Sequence, residues 1–131
     1  MPIIDGTYQL AGRERSADAA YENGVFTMEM HRAYDVPALT GLTRSFSFTD
    51  DAITLTDTYV YDGVPTSLVE RIVCAAEPKT APDGTIRVDA LTLTANDAVA
   101  AAEIHAEDRC WCIDYTLKPD ARVFVLTVKA D

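Results

Sequence analysis

Residues 42–61 read LTRSFSFTDDAITLTDTYVY, two alternating runs on either side of Asp50 and Asp51. Leu42, Arg44, Phe46 and Phe48 alternate with Thr43, Ser45 and Ser47, and Ile53, Leu55, Asp57, Tyr59 and Tyr61 answer them beyond the acidic turn. Successive side chains of a strand point to opposite faces, so each run has one largely apolar face and the pair predicts an antiparallel hairpin. A loop over Thr49 to Ala52 sets Phe48 against Ile53, Phe46 against Leu55 and Arg44 against Asp57, all on that face. A guanidinium and a carboxylate then meet on an otherwise apolar surface. Buried charges persist chiefly when paired and hydrogen-bonded, so the plain expectation is a structural ion pair between Arg44 and Asp57. The sharper alternative is an arginine awaiting an anionic ligand.

The pattern repeats along the chain. Asp5-Gly6, Asn23-Gly24, Asp62-Gly63, Asp83-Gly84, Asn96-Asp97 and Pro119-Asp120 are turn signals, with short period-two runs between them. Phe26, Met28 and Met30 form one inward set, Trp111, Ile113, Tyr115 and Leu117 another, and Phe124, Leu126 and Val128 a third. In the segment from Ser67 to Cys74, Leu68, Ile72 and Cys74 share a face with Glu70 while Val69 and Val73 flank Arg71, which suggests a strand covered on both sides. From Asn96 to Ala106 the alanines and an Asn or Asp cap favour a helix locally, whereas the surrounding strands favour another strand, the reading adopted for Glu103 to Ala106. No repeat or linker interrupts the chain. The expectation is a single all-β domain over residues 1–131, an antiparallel β-sandwich of about ten short strands.

Composition narrows the partners. Eleven basic against twenty-one acidic residues give a net charge of -10, which disfavours nucleic acid, because phosphates need Lys and Arg to neutralise them. No apolar run approaches the roughly 20 residues of a membrane-spanning helix, and no export signal opens the sequence, so no membrane partner is expected. Three cysteines, Cys74, Cys110 and Cys112, do not make a disulfide framework. A cytoplasmic location follows from that usage, or a periplasmic or extracellular one if the chain belongs to an exported precursor.

Motifs that carry chemistry are scarce. Cys110 and Cys112 share one side of a strand, but a zinc site needs further ligands, which only Cys74, His31 or His105 could supply. Their plain reading is partly buried small side chains, and neither metal nor cofactor is expected. His31 falls on the polar face of its strand and His105 beside Glu103, neither with a recognisable partner. No Gly-x-Ser-x-Gly elbow, phosphate-cradling loop or His-Glu-x-x-His helix occurs, and no catalytic residue is assigned. The six tyrosines are read chiefly as core residues with hydroxyls at the rim.

Pro2-Ile3-Ile4-Asp5-Gly6, then Gln9, then Gly12-Arg13, resembles the Pro-x-Ile-Asn-Gly-x-x-Gln-x-x-Gly-Arg stretch of heparinase II/III-like polysaccharide lyases, with Asp5 where asparagine is more usual. Ala33-Tyr34, Arg44-Ser45-Phe46 and Ile53-x-Leu55-x-Asp57 resemble the succession in that family's C-terminal β-sandwich. The resemblance spans nearly the whole chain. It implies a noncatalytic module that supports the fold or substrate cleft of an enzyme cleaving uronate polysaccharides by β-elimination. The implied partners are a polysaccharide or oligosaccharide and an upstream catalytic domain, since the family's catalytic and metal-binding residues have no match here. The alternative is a free-standing carbohydrate-binding protein, in which several tyrosines would line an exposed groove.

Overall fold

The hairpin around Asp50 and Asp51 forms the middle of the larger of two sheets in the computed structural model, which describes residues 1–12 and 18–131. In chain order the strands are β1 (Pro2–Ile4), β2 (Asp18–Glu22), β3 (Val25–Glu29), β4 (Leu39–Phe48), β5 (Ala52–Tyr61), β6 (Leu68–Cys74), β7 (Lys79–Thr80), β8 (Ile86–Val88), β9 (Leu91–Ala95), β10 (Val99–Ala106), β11 (Trp111–Leu117) and β12 (Val123–Ala130). One sheet has four strands in the order β1-β6-β11-β10, the other eight in the order β2-β3-β4-β5-β12-β9-β8-β7. Together they make an all-β antiparallel sandwich. Among the described residues twelve strands replace the expected ten or so, because pieces as brief as β7 and β8 are too short to show an alternation.

The register of β4 on β5 is Phe48 to Ile53, Phe46 to Leu55 and Arg44 to Asp57, as the hydrophobic pattern and turn require. Thr49 closes the turn through its backbone N–H to the Ala52 carbonyl at 2.9 Å. At the β2–β3 turn Asn23 and Gly24 both take positive φ, 51° and 77°, the conformation that a two-residue hairpin needs and that Asn-Gly adopts at least cost.

The core lies between the sheets. Ile4, Leu68, Ile113, Tyr115 and Leu117 from the smaller sheet meet Leu42, Leu55, Tyr59, Leu93, Phe124 and Leu126 from the larger, and the Tyr115 and Phe124 rings lie 5.7 Å apart. The smaller sheet is narrower and its central strands shorter, so the apolar face of β4–β5 is not covered throughout. Phe48 is 53% exposed and Ile53 44% exposed, although both lie on the face expected to be inward. On β3, Phe26 and Met28 are half-buried near the sheet's flank, and buried Met30 lies just past the strand.

One further expectation changes, and the strand read for Glu103 to Ala106 is present and longer. Strand β6 is closed on its inner face, where Leu68, Glu70 and Cys74 are buried, but its outer face is partly open, with Val73 59% exposed. The segment from Asn96 to Ala106 is a strand from Val99 onward, because pairing with β11 outweighs the local helical preference of its alanines. Arg13 of the resemblance lies outside the described residues.

Candidate functional site

Two clusters of polar side chains occupy opposite faces of the four-stranded sheet. The inner one begins with the β4–β5 register. Arg44 donates through Nε to Asp57 Oδ1 at 2.8 Å and through Nη2 to Oδ2, a fork that uses both carboxylate oxygens. The third member comes from the opposite sheet: Arg44 Nη2 also reaches Glu70 Oε2 at 3.3 Å, and the Tyr59 hydroxyl donates to Glu70 Oε1. Asp57 and Glu70 are fully buried, and the Arg44 side chain is 12% exposed.

Two carboxylates share one guanidinium here, so their protonation is the central electrostatic question. Burial, reinforced by hydrogen bonding to and repulsion from Asp57, pushes the Glu70 carboxyl well above its usual range and favours its neutral acid form. Burial and the adjacent carboxylates push the Tyr59 hydroxyl up as well, keeping it a donor. Arg44 has its fork filled and little access to solvent, so the arrangement leaves no room for an anionic ligand.

The outer cluster sits on the β10–β11 hairpin. Register places His105 directly opposite Cys112, and the Glu107 N–H to Cys110 carbonyl bond of 2.8 Å closes the connecting turn. Arg71 on β6 donates to Asp114 through Nε at 2.7 Å and Nη2 at 2.6 Å, and His105 Nε2 lies 3.1 Å from Asp114 Oδ2 and 3.4 Å from Arg71 Nη2. The Arg71 guanidinium, with His105 beside it, outweighs burial and holds the Asp114 carboxyl below its usual range. On its other side His105 presents Nδ1 to Glu107 Oε1 at 3.4 Å. The Tyr8 ring lies 5.9 Å from the Arg71 guanidinium carbon.

The ligand atoms of His105, Glu107 and Cys112 all lie within 4.8 Å of one another. The Cys110 thiol is within hydrogen-bonding reach of that of Cys112, whose thiol burial pushes up against the opposing effect of Arg71. Cys74 points to the inner face opposite Trp111, buried, with its thiol also pushed up by burial.

Both histidines have carboxylate partners that the sequence did not disclose. His31 lies in a short 3-10 turn, His31–Ala33, rather than on a strand face, and its Nδ1 is 2.5 Å from Glu29 Oε1. Glu29 also accepts from the Leu42 N–H and the Thr43 hydroxyl at 3.1 Å each, which makes it a clasp between β3 and β4. For the outer cluster the missed residues are Glu107, Asp114 and Arg71. Their signal was the spacing His105-x-Glu107-x-x-Cys110-x-Cys112, readable as one hairpin face once both segments are strands.

Elsewhere, an apolar crevice of about 360 Å³ opens between the sheets beside Ile72, Cys74, Val88, Leu91 and Val128, with no convergent set of polar groups. Tyr34, Tyr59 and Tyr115 are buried and Tyr61 is half-buried, while exposed Tyr8 and Tyr21 stand on separate elements. No family model matches the chain, and no curated protein matches it.

Proposed function

We propose that this chain is a noncatalytic β-sandwich module of a heparinase II/III-like polysaccharide lyase, supporting the fold or substrate cleft of a uronate-polysaccharide β-eliminating enzyme. The observation that carries this reading is that residues of the resemblance make structural hydrogen bonds, two of them to one another. The Tyr34 hydroxyl donates to the Pro2 carbonyl at 3.0 Å, the Leu10 N–H to the Ala33 carbonyl at 2.8 Å, and Arg44 to Asp57. Asp5 accepts from the Ser67 N–H at 3.0 Å and from the Tyr61 hydroxyl. Motifs scattered from Pro2 to Asp57 thus have architectural work in common. β-Elimination needs a base at C5, an acid for the leaving oxygen and a cation for the uronate carboxylate. The cations nearest such groups, Arg44 and Arg71, are already matched by buried or hydrogen-bonded carboxylates.

Two measurements test the reading. The isolated chain should release no unsaturated uronate from alginate, heparan or hyaluronan, followed by the absorbance of the new double bond. The genomic frame leading into Met1 should encode a helical domain with a His-Gly-His-x-Asp-like segment. Lyase activity of the chain alone, or an in-frame stop before Met1, would overturn it. With such a stop, the free-standing carbohydrate-binding reading takes over, and half-exposed Tyr8 becomes the residue to change: Tyr8→Ala should then weaken glycan binding without moving the Tm.

A further inference from the structure

The geometry points to a zinc site on the outer face of the β10–β11 hairpin, with His105 Nδ1, a Glu107 carboxylate oxygen and the Cys110 and Cys112 sulfurs as its four ligands. This inference does not depend on the lyase reading. Three of the donors already lie within 4.8 Å of one another. Tetrahedral zinc with bonds of about 2.0–2.3 Å separates its ligands by roughly 3.3–3.8 Å. The His105 Nδ1 to Glu107 Oε1 distance of 3.4 Å is already in that range, and the remaining closure is within reach of side-chain rotation.

The anchoring of the His105 ring supplies an independent argument. His105 Nε2 lies 3.1 Å from Asp114 Oδ2 and 3.4 Å from Arg71 Nη2, so the ring is anchored through that nitrogen and its Nδ1 is turned toward Glu107. In the tautomer with its proton on Nε2, His105 turns the Nδ1 lone pair toward the Glu107 carboxylate. A cation between them would satisfy both; the Cys112 sulfur lies within 4.8 Å of each, and the Cys110 thiol, within hydrogen-bonding reach of Cys112, can be brought in by side-chain rotation. Asp114 occupies the place from which a carboxylate orients a metal-bound imidazole and raises its basicity. The Arg71 charge balances Asp114 and leaves the donor set to balance the metal.

Donor chemistry selects the ion. Thiolate, imidazole and carboxylate together suit zinc, and hard oxygen-seeking cations such as Mg²⁺ or Ca²⁺ would reject the sulfurs. Four protein ligands close the coordination sphere, which describes a structural site rather than a catalytic one. On binding, each cysteine releases its proton to solvent and zinc takes the place of both, with no change in oxidation state. The metal would clip the turn end of β10, an edge strand of the smaller sheet, to β11.

The test is Co²⁺ titration of the full chain, its thiols kept reduced by a phosphine. One Co²⁺ per chain should give a thiolate-to-cobalt charge-transfer band and the intense visible bands of tetrahedral cobalt, both abolished by one equivalent of Zn²⁺. Cys110→Ser and Glu107→Gln, in the turn and remote from the core, should remain folded by circular dichroism and bind at least tenfold more weakly. Cys74→Ser should bind as the parent chain does. Asp114→Asn should bind roughly 10–100-fold more weakly, the usual effect of losing a partner to a metal-bound histidine. Absence of the charge-transfer band, or a Cys110→Ser spectrum and affinity equal to the parent's, would overturn the site.

Discussion

Arg44→Met is the substitution that most directly probes the inner cluster. It removes the Nε and Nη2 bonds to Asp57 and the 3.3 Å bond to Glu70 while keeping an unbranched side chain of similar reach. The two carboxylates do not suffer equally. Glu70 is already disposed to be neutral and keeps the Tyr59 hydroxyl, whereas fully buried Asp57 loses its fork. Stranding one buried charge in this way costs about 3–5 kcal/mol. Against total stabilities of about 5–15 kcal/mol for ordinary domains, that is a fifth or more of the whole, and the variant should unfold at clearly lower urea. Arg44→Met combined with Asp57→Leu removes the orphan and should regain much of the loss, giving a coupling near the upper end of the roughly 0.5–3 kcal/mol seen between contacting groups. Urea unfolding read from Trp111, the single tryptophan, supplies all four corners of the cycle if the m-values agree. Additive losses would refute the claim that the buried charges, and not the packing of their side chains, set the energetics here.

Three further perturbations discriminate particular contacts. Glu70 has its folded-state pKa raised above the ordinary 4.5, so in between the folded chain keeps a proton that the unfolded chain has released. Its contribution is therefore fully present below about 4.5 and declines as pH rises toward the folded value, by at most about 1.4 kcal/mol per pH unit. Glu70→Gln should remove that decline, and an unchanged pH profile of stability would contradict the assignment. The Tyr115 hydroxyl is buried with no hydrogen-bond partner among the described residues, and burial pushes its pKa up to about 12. Tyr115→Phe should hold or raise stability by up to about 1 kcal/mol, roughly 4 °C in Tm at this size; a fall of several degrees would reveal a bonded water. Asp5 combines a φ of 49° with acceptor duty for Ser67 and Tyr61. Asp5→Ala should cost about 1–3 kcal/mol in chemical denaturation and Asp5→Asn far less, since asparagine tolerates that backbone and keeps an acceptor; equal stabilities would show the turn to be indifferent.

The register of β4 on β5 was legible because period-two alternation and a short turn leave one solution that puts both apolar faces on the same side. The turn dipeptides were legible for a related reason: Asn23-Gly24 and Asp62-Gly63 mark backbone that few other residues accept. What alternation cannot say is how far a face is covered, and Phe48 and Ile53 are exposed for that reason alone. Nor does it say which strand lies across the sandwich. Glu70 was visible among Leu68, Ile72 and Cys74 as a carboxylate on an apolar face, but its meeting with Arg44 depends on the packing of two sheets. His105 and the paired cysteines were each visible too. They stayed separate because a strand over Glu103 to Ala106 does not by itself say which strand it pairs with, and only the register on β11 brings His105 level with Cys112.

The two clusters are back to back on the same strands, and the strand period keeps them apart. Glu70 and Arg71 are consecutive on β6, as are Asp114 and Tyr115 on β11, and each pair sends one side chain to each face. The inner member of each pair is buried among apolar side chains, where a charge can be tolerated only if matched, so its business is the stability of the sandwich. The outer members remain in partial contact with solvent, where an ion or partner can arrive without unfolding anything. Substitutions at the two faces should therefore act independently. Arg44→Met should lower stability and leave the affinity of the folded fraction for Co²⁺ as it was, Cys110→Ser should do the reverse, and without metal their effects on stability should add. Coupling between them would mean that β6 transmits a displacement from one face to the other, which adjacent residues on opposite sides of a pleat can do only through the backbone.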